Sequence, residues 1–318
     1  MTQALVLGRR RKGRKIGQAV RETRMMLEAA GWKVEGRLVD RKKDLRRHAA
    51  RGVKQGVDVF VAVGGDGAVL QVVNAVAGTE VALGIVPRGT GNLLAGNLGI
   101  PHRLDKAVEV LVKGQRRRID LGRVRVGGKD HDFAVACGVG FDADVMKVTQ
   151  TSEKRRWGKL AYIASALSQG HRLRDVTHKI TIDGVSSTTE AAQVFVANFG
   201  RMGPFEPRRE VDPQDGLLDV IVVRARGPLS GLLAGWEALR QRDLGESSNG
   251  HVFRAQAREV RIETDPRRLV ETDGTIVGKT PIDVSVRPAA LTVISNLQGG
   301  TAGGGTAEGG TAEGDQPA

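Results

Sequence analysis

Two glycine turns and a few late acids set the chemistry available to this chain. The first turn, Gly64-Gly65-Asp66-Gly67, follows an apolar, β-branched run at 57–63 and precedes a helix-like stretch at 69–76. Glycine lets the backbone approach an anion closely, and successive N–H groups at a helix start then face it. Gly64, Gly65, Asp66, Gly67 and the adjoining Ala68 are therefore candidates for holding a phosphate. An aspartate in such a loop repels phosphate unless a cation accompanies it, so Asp66 points to Mg²⁺, bound directly or through water. The second turn, Pro87-Arg88-Gly89-Thr90-Gly91-Asn92, also joins an apolar run to a helix-like stretch, here 93–98. Gly89 offers backbone, Thr90 a hydroxyl and Asn92 an amide. Neither turn carries the P-loop or dinucleotide fingerprint, and a lone glycine turn is more often a plain strand-to-helix connection. Two of them after consecutive strands favour a shared anion site.

Such turns need a scaffold that brings several strand ends to one edge. Residues 4–7 read as a strand, 16–30 as a helix ended by Gly31, 33–39 as a strand and 44–55 as a helix ended by Gly56. The strands at 57–63 and 81–86 follow, with a helix at 69–76 between them. This alternation predicts a parallel sheet with helices on both faces, and such sheets bind ligands beyond the carboxyl ends of their strands. From about residue 119 the rhythm changes. Strand-like runs fall at 119–126, 131–138, 178–183, 192–198, 217–223, 258–263, 269–272, 282–286 and 291–295, several of them alternating apolar and polar residues. Helical insertions are expected at 155–169 and 229–241. The result is an α/β domain at 1–122 and a mostly antiparallel β domain at 123–297, expected as a sandwich, with an open barrel as the alternative. Residues 298–318 repeat Gly-Gly-Thr-Ala-Glu almost without large apolar side chains and read as a disordered tail.

Composition narrows the class. Of 318 residues, 40% are apolar but only 3% aromatic, so the cores must be built from Val, Leu, Ile and Ala. One cysteine, Cys137, allows no internal disulfide and reads as a small buried residue rather than a nucleophile. With no signal peptide visible, a cytoplasmic location is expected. No apolar run is long enough to span a bilayer, and six scattered histidines give no zinc spacing. Residues 1–54 hold 17 Lys/Arg against 5 Asp/Glu, while the whole chain carries +13, so nearly all the excess charge lies at one end. Arg9-Arg10-Arg11-Lys12 with Arg14-Lys15, and Arg41-Lys42-Lys43 with Arg46-Arg47, suit nucleotide phosphates or acidic lipid headgroups as partners, or else form a solvated face. Nucleic acid is disfavoured, because no aromatics interleave the basic residues.

The motifs together resemble the diacylglycerol kinase catalytic domain. That domain belongs to a lipid kinase family that includes sphingosine and ceramide kinases and is distantly similar to NAD kinase. The resemblance rests on Gly64-Gly65-Asp66-Gly67 followed by Asn74, on Pro87 to Asn92, and on Leu98-Gly99-Ile100-Pro101. It continues through Asp120-Leu121-Gly122, Gly138-Val139-Gly140-Phe141-Asp142-Ala143, Asp215-Gly216-Leu217-Leu218-Asp219, Asp273-Gly274 and Pro288-Ala289-Ala290-Leu291. It covers the chain from 1 to about 297.

The resemblance implies an ATP- and Mg²⁺-dependent kinase that phosphorylates a hydroxyl of diacylglycerol or a related lipid at an anionic membrane surface. It is compatible with a homodimer. Nucleotide would lie between the domains against Gly65, Asp66, Gly67 and Thr90. Asp66 would organise a catalytic Mg²⁺, and Asp120 would join that network through water. The Asp215-Gly216-Leu217 segment matches a second, structural Mg²⁺ site, with the Asp215 carboxylate and backbone carbonyls near Asp212 and Leu217 as ligands, although Asp-Gly is also a common β-turn pair. The proton acceptor falls at an Asp-Gly-Glu or Asp-Gly-Asp motif. This chain has Asp273-Gly274-Thr275, leaving Asp273 as the base, with Glu271 expected on the same strand face. Other departures are Leu93 after Asn92, Gln71 in place of a glutamate, Ala68 in place of a threonine, and no N-terminal Asn-Pro motif. Thr275 and Leu93 favour, as an alternative, a nucleotide-binding regulator that has lost catalysis; an NAD kinase shares Gly64-Gly65-Asp66-Gly67 but fits less well, because it does not predict the turn at 87–92 with Leu98-Gly99-Ile100-Pro101. The segment 228–236 offers a bilayer contact or a core helix.

Overall fold

As far as residue 97, strand and helix alternate as their periodicity predicts. The computed structural model describes residues 1–10, 15–140, 176–200, 212–224, 245–246 and 250–296. Strands β1 (Gln3–Arg9), β2 (Lys33–Val39), β3 (Val59–Gly64) and β4 (Ala82–Pro87) pair in parallel in the order β2-β1-β3-β4. Every residue of β3 and β4 is buried, as expected for strands covered on both faces. Helices α1 (Ile16–Ala29) and α5 (Leu104–Lys113) pack together over one face, and α2 (Lys42–Lys54) and α3 (Asp66–Val76) over the other. A β-carbon on Gly8 would meet Ile16 and Val20 of α1, whereas one on Gly52 of α2 would meet Phe60 and Leu5, which fixes the opposite sides. The short α4 (Leu93–Asn97) follows the second glycine turn. Helix α5 was not expected, although Ala107, Val108, Val110 and Leu111 form its buried stripe.

The later residues build an antiparallel sandwich, and the chain joins it to the first sheet through one long ribbon. Strand β5 (Gln115–Val126) pairs along nearly its whole length with β17 (Ile282–Ser295). The second half of β17 lies beside β4, Val293 opposite Leu83, while its first half pairs with β14 (Glu259–Asp265). β14 in turn holds β8 (Val176–Ile182), which holds β9 (Val185–Ala191), and β6 (Lys129–Phe133) borders β5. The facing sheet runs β12 (Gly245–Glu246), β13 (Val252–Ala257), β11 (Leu218–Val223), β10 (Gln193–Ala197), β7 (Ala136–Val139), β15 (Leu269–Thr272) and β16 (Thr275–Lys279), all antiparallel. Val124, Val260, Ile262 and Val284 from one sheet pack with Val139, Val194, Val196 and Val220 from the other in a single core. This is the aliphatic core that the scarcity of aromatics requires.

Three local differences from the sequence reading have physical causes. The run at 131–138 is two strands, β6 and β7, because the backbone N–H groups of Ala134, Val135 and Ala136 bond a carboxylate instead of a ladder partner. The runs at 282–286 and 291–295 are one strand interrupted by a bulge between Arg287 and Leu291. Strand β9 carries Ser186, Ser187, Thr188, Thr189 and Glu190, mostly exposed, so it lacks the apolar alternation that would have marked it. The helical stretches at 155–169 and 229–241, the segment 228–236, Phe141-Asp142-Ala143, Arg11, Lys12 and Arg14, and the tail at 298–318 lie outside the described residues.

Candidate active site

The two glycine turns close on each other. The Arg88 N–H donates to the Gly64 carbonyl at 2.7 Å, bringing the end of β4 beside the end of β3. A β-carbon on Gly89 would stand 2.5 Å from the Gly65 Cα, and one on Gly65 would stand 2.7 Å from the Gly89 Cα. Only glycine at both positions permits that backbone contact. Gly65 caps α3, its carbonyl accepting the N–H groups of Ala68 and Val69. Asp66, the first residue of α3, reaches across to the second turn: Oδ2 accepts the Asn92 N–H at 2.8 Å and Oδ1 accepts the Leu93 N–H. The Leu93 contact is made by backbone, so the unusual side chain there leaves it intact. Asn92 adopts the left-handed conformation, and its amide accepts from the Gly89 N–H and donates to the Gly89 carbonyl. Thr90 is exposed at the rim. Gly64, Gly65, Asp66, Gly67, Ala68, Gly89, Thr90 and Asn92 thus form one structural unit at the carboxyl edge of the parallel sheet.

The late acid Asp273 meets this unit from the other domain. Asp273 and Gly274 both have positive φ, 44° and 81°, and link β15 to β16 as the two central residues of a tight hairpin turn. Asp-Gly is the pair such primed turns favour. The turn position aims the Asp273 carboxylate at the link between β6 and β7. Its Oδ2 accepts the Ala134 N–H at 2.7 Å, and its Oδ1 accepts those of Val135 and Ala136 at 2.9 and 3.1 Å. A carboxylate has about four acceptor positions, so one remains, on Oδ2. Burial pushes the Asp273 carboxyl above the ordinary carboxylate range; the three N–H donors pull it back and the charge of Asp66 adds to the rise. Asp66 and Asp273 line one cleft, whose other walls are Val69, Leu70 and Val73 of α3, Leu93, Leu94, Ala134 and Val135.

Glu271 does not share a strand face with Asp273, because Asp273 sits in the turn. Its Oε1 instead accepts the Gly274 N–H, and burial raises its carboxyl, with Asp273 adding to the effect. Thr275 is exposed at the start of β16. Cys137 is wholly buried, and burial drives its thiol far above the range in which it would ionise. This agrees with a packing role.

The remaining acids gather at a different place. Asp120 is buried on β5, where Oδ1 accepts the Ala289 N–H at 2.7 Å and Oδ2 the Gly216 N–H at 2.8 Å. It therefore ties the 212–217 loop to the bulge of β17. Asp212 accepts the N–H of Gln214, and Asp215 accepts those of Leu217 and of the Gln256 side chain. Among the described residues no three acidic, histidine or cysteine side chains converge as a metal cage, so side chains alone do not make this loop a Mg²⁺ site. Asp66 fits the ion better. Each of its oxygens accepts one N–H and keeps a lone pair, and Mg²⁺ commonly uses one or two carboxylates together with substrate phosphates. The sequence reading missed Asn198. This buried amide donates to the carbonyls of Asp120 at 2.7 Å and Ala134 at 3.0 Å, holding from behind the segment that Asp273 holds from in front. A polar residue ending the apolar run 194–197 was the available signal.

Comparison with known proteins agrees with this architecture. Residues 3–124 match the diacylglycerol kinase catalytic domain, and residues 135–295 match the YegS C-terminal NAD kinase beta sandwich-like domain. A diacylglycerol kinase of Mycobacterium tuberculosis is 31% identical, over 80% of this chain and 82% of its own length. An uncharacterised protein of Synechocystis is 27% identical over 83% of this chain, which spans 62% of that longer relative. A solved Bacillus anthracis structure, provisionally assigned as a diacylglycerol kinase, superposes with a TM-score of 0.78 at 25% identity, covering 92% of this chain and 97% of its own. With a glycine-turn unit in a parallel α/β domain facing an acid from an antiparallel sandwich, and with both halves matched in order, this chain belongs to the diacylglycerol kinase family of lipid kinases.

Proposed function

We propose that the chain transfers the γ-phosphoryl group of ATP to a hydroxyl of diacylglycerol or a closely related neutral lipid. One observation carries this reading: Asp66 from the glycine-turn unit and Asp273 from the sandwich line the same cleft. The turn N–H groups and the start of α3 face the anionic end of the nucleotide. Asp66 would hold the Mg²⁺ that accompanies it, and the ion when bound neutralises phosphate charge. The acceptor oxygen bonds to the γ-phosphorus, the bond from that phosphorus to the β–γ bridging oxygen breaks, and ADP leaves. The hydroxyl proton passes to the open position on Asp273 Oδ2. A carboxyl raised toward neutrality is better matched to this task than an ordinary one.

The walls support the acceptor class. Among the described residues, seven aliphatic or alanine residues and two carboxylates line the cleft, and none of these is cationic. That lining suits a neutral alcohol on an apolar body and opposes an anionic headgroup. Attachment to an anionic bilayer through the basic first third completes the reading. No helix among the described residues is long and apolar enough to cross a membrane.

Thr275 supports a second reading, a nucleotide-binding regulator without catalysis, since an exposed hydroxyl stands where the family carries an acid. Labelled ATP, Mg²⁺ and diacylglycerol in anionic mixed micelles separate the two. Wild-type protein is expected to label the lipid and Asp66→Ala to abolish labelling. ATP binding with no labelled lipid would establish the regulator instead.

A further inference from the structure

Gly67 completes the first glycine turn, yet its φ lies outside the left-handed region, so its backbone does not require glycine. What stands above it is the flexible end of a lysine side chain. Lys42, the first residue of α2, lies there, its Nζ 3.0 Å and its Cε 3.3 Å from where a β-carbon on Gly67 would stand. Helix α2 packs directly on α3, which fixes the base of the lysine beside the loop. Asp44, the acid of the first turn of α2, is engaged by Arg47, and among the described residues no ion pair includes Lys42. An exposed cation thus lies beside the backbone of the anion-facing turn, and among the described residues no carboxylate pairs with it.

We infer that Lys42 is a phosphate ligand of the nucleotide, contacting its phosphate chain over Gly67. The inference rests on the reading that the glycine-turn unit holds ATP, and it gives that site a cationic residue. In the sequence Lys42 belongs to the cluster Arg41-Lys42-Lys43, which suits phosphates or acidic headgroups without distinguishing its members. The fold separates these residues by task, because it directs the ammonium of Lys42 onto the turn. An ammonium is a compact point charge able to follow a phosphate as the ligand settles. The absence of a side chain at Gly67 gives it that route.

Equilibrium dialysis with labelled MgATP tests this on the full-length wild type, Lys42→Gln, Lys42→Arg and Lys43→Gln. A charge-assisted contact to phosphate corresponds to a loss of about tenfold in affinity when removed. Lys42→Gln is expected to bind MgATP about tenfold more weakly, Lys42→Arg within about threefold of wild type, and Lys43→Gln unchanged. In steady-state assays Lys42→Gln should raise KM for ATP more than it lowers kcat. All four proteins should melt together, since both lysines are exposed. Wild type binding MgATP with Lys42→Gln indistinguishable from it overturns the assignment and leaves the nucleotide site standing. Equal weakening in Lys43→Gln also overturns it, in favour of a general basic field. Failure of the wild type to bind MgATP overturns both.

Discussion

Asp273→Asn perturbs the one group that joins the chemistry to the architecture, and its two effects separate. The carboxylate accepts three backbone N–H groups at 2.7, 2.9 and 3.1 Å. Asparagine keeps one oxygen, which serves Val135 and Ala136, but turns its amide toward the Ala134 N–H and leaves that donor without an acceptor. A hydrogen bond to a charged group contributes about 1.5–3 kcal/mol, and an orphaned buried donor costs about as much. Relief of the buried charge and of its repulsion by Asp66 offsets part of this, so a net loss of about 1–2 kcal/mol is expected, or about 2–8 °C in melting temperature. The kinetic effect is larger: asparagine cannot take the acceptor proton, and loss of a general base lowers kcat by about 10²–10⁴-fold. Thermal unfolding by circular dichroism measures the first effect, and MgATP-dependent labelling of diacylglycerol in mixed micelles measures the second. A folded Asp273→Asn protein with kcat within about threefold of wild type would refute the assignment of Asp273 as base. An unchanged melting temperature would refute the three-bond geometry.

Four other outcomes follow from the same structure. The raised carboxyl of Asp273 contributes stability that is full below its unfolded value of about pH 4 and is lost as pH rises through its folded value; urea melts from acid to neutral pH should show a steeper decline in wild type than in Asp273→Asn, where the raised Glu271 alone remains. Asp120→Asn removes an acceptor from the link between the 212–217 loop and the β17 bulge and should cost about 1–3 kcal/mol, a loss that added Mg²⁺ does not restore in calorimetry if the residue works through backbone N–H groups. Gly89→Ala places a β-carbon 2.5 Å from the Gly65 Cα, which should separate the turns and abolish MgATP binding in dialysis while the far-ultraviolet spectrum of the fold persists. Thr275→Glu restores an acid at an exposed position and should raise kcat by about tenfold or more with little change in melting temperature; no gain would show that Thr275 is not what limits transfer.

The sequence revealed the parts of the fold that repeat a pattern and hid those that depend on distant partners. The parallel strands and α1 to α3 were legible because their apolar periodicity is local, and so was the position of both glycine turns at strand ends. That the turns touch through Gly65 and Gly89 was not legible, since the contact joins residues 24 positions apart by backbone alone. The same holds for Asp273. Its Asp-Gly pair announced a hairpin turn, but its partners at 134–136 come from the neighbouring strand β7 and the link before it, almost 140 residues earlier in the chain, and their diversion from the ladder is what splits β6 from β7. Asp120 shows the reverse case. The motif suggested a metal partner, while the fold gives both oxygens to N–H groups at 216 and 289. Gly122 of the same motif has an equally non-local reason: the ring of Phe133 lies where its β-carbon would be.

The long ribbon of β5 and β17 bears on how the protein is made. β4 has no neighbour on its outer side until Leu291 to Ser295 arrive, and β5 waits for the same segment. The domain that carries both glycine turns is therefore unfinished while the ribosome is still adding the sandwich, even though all of its helices have already emerged. An open, apolar β4 edge is a template for wrong pairing, so the interval between synthesis of residue 87 and residue 295 is when this chain is most exposed to aggregation. Closure of the last strand joins the parallel and antiparallel parts of the ten-stranded sheet at once. A chain cut short anywhere before residue 291 should then emerge insoluble rather than as a free nucleotide-binding module.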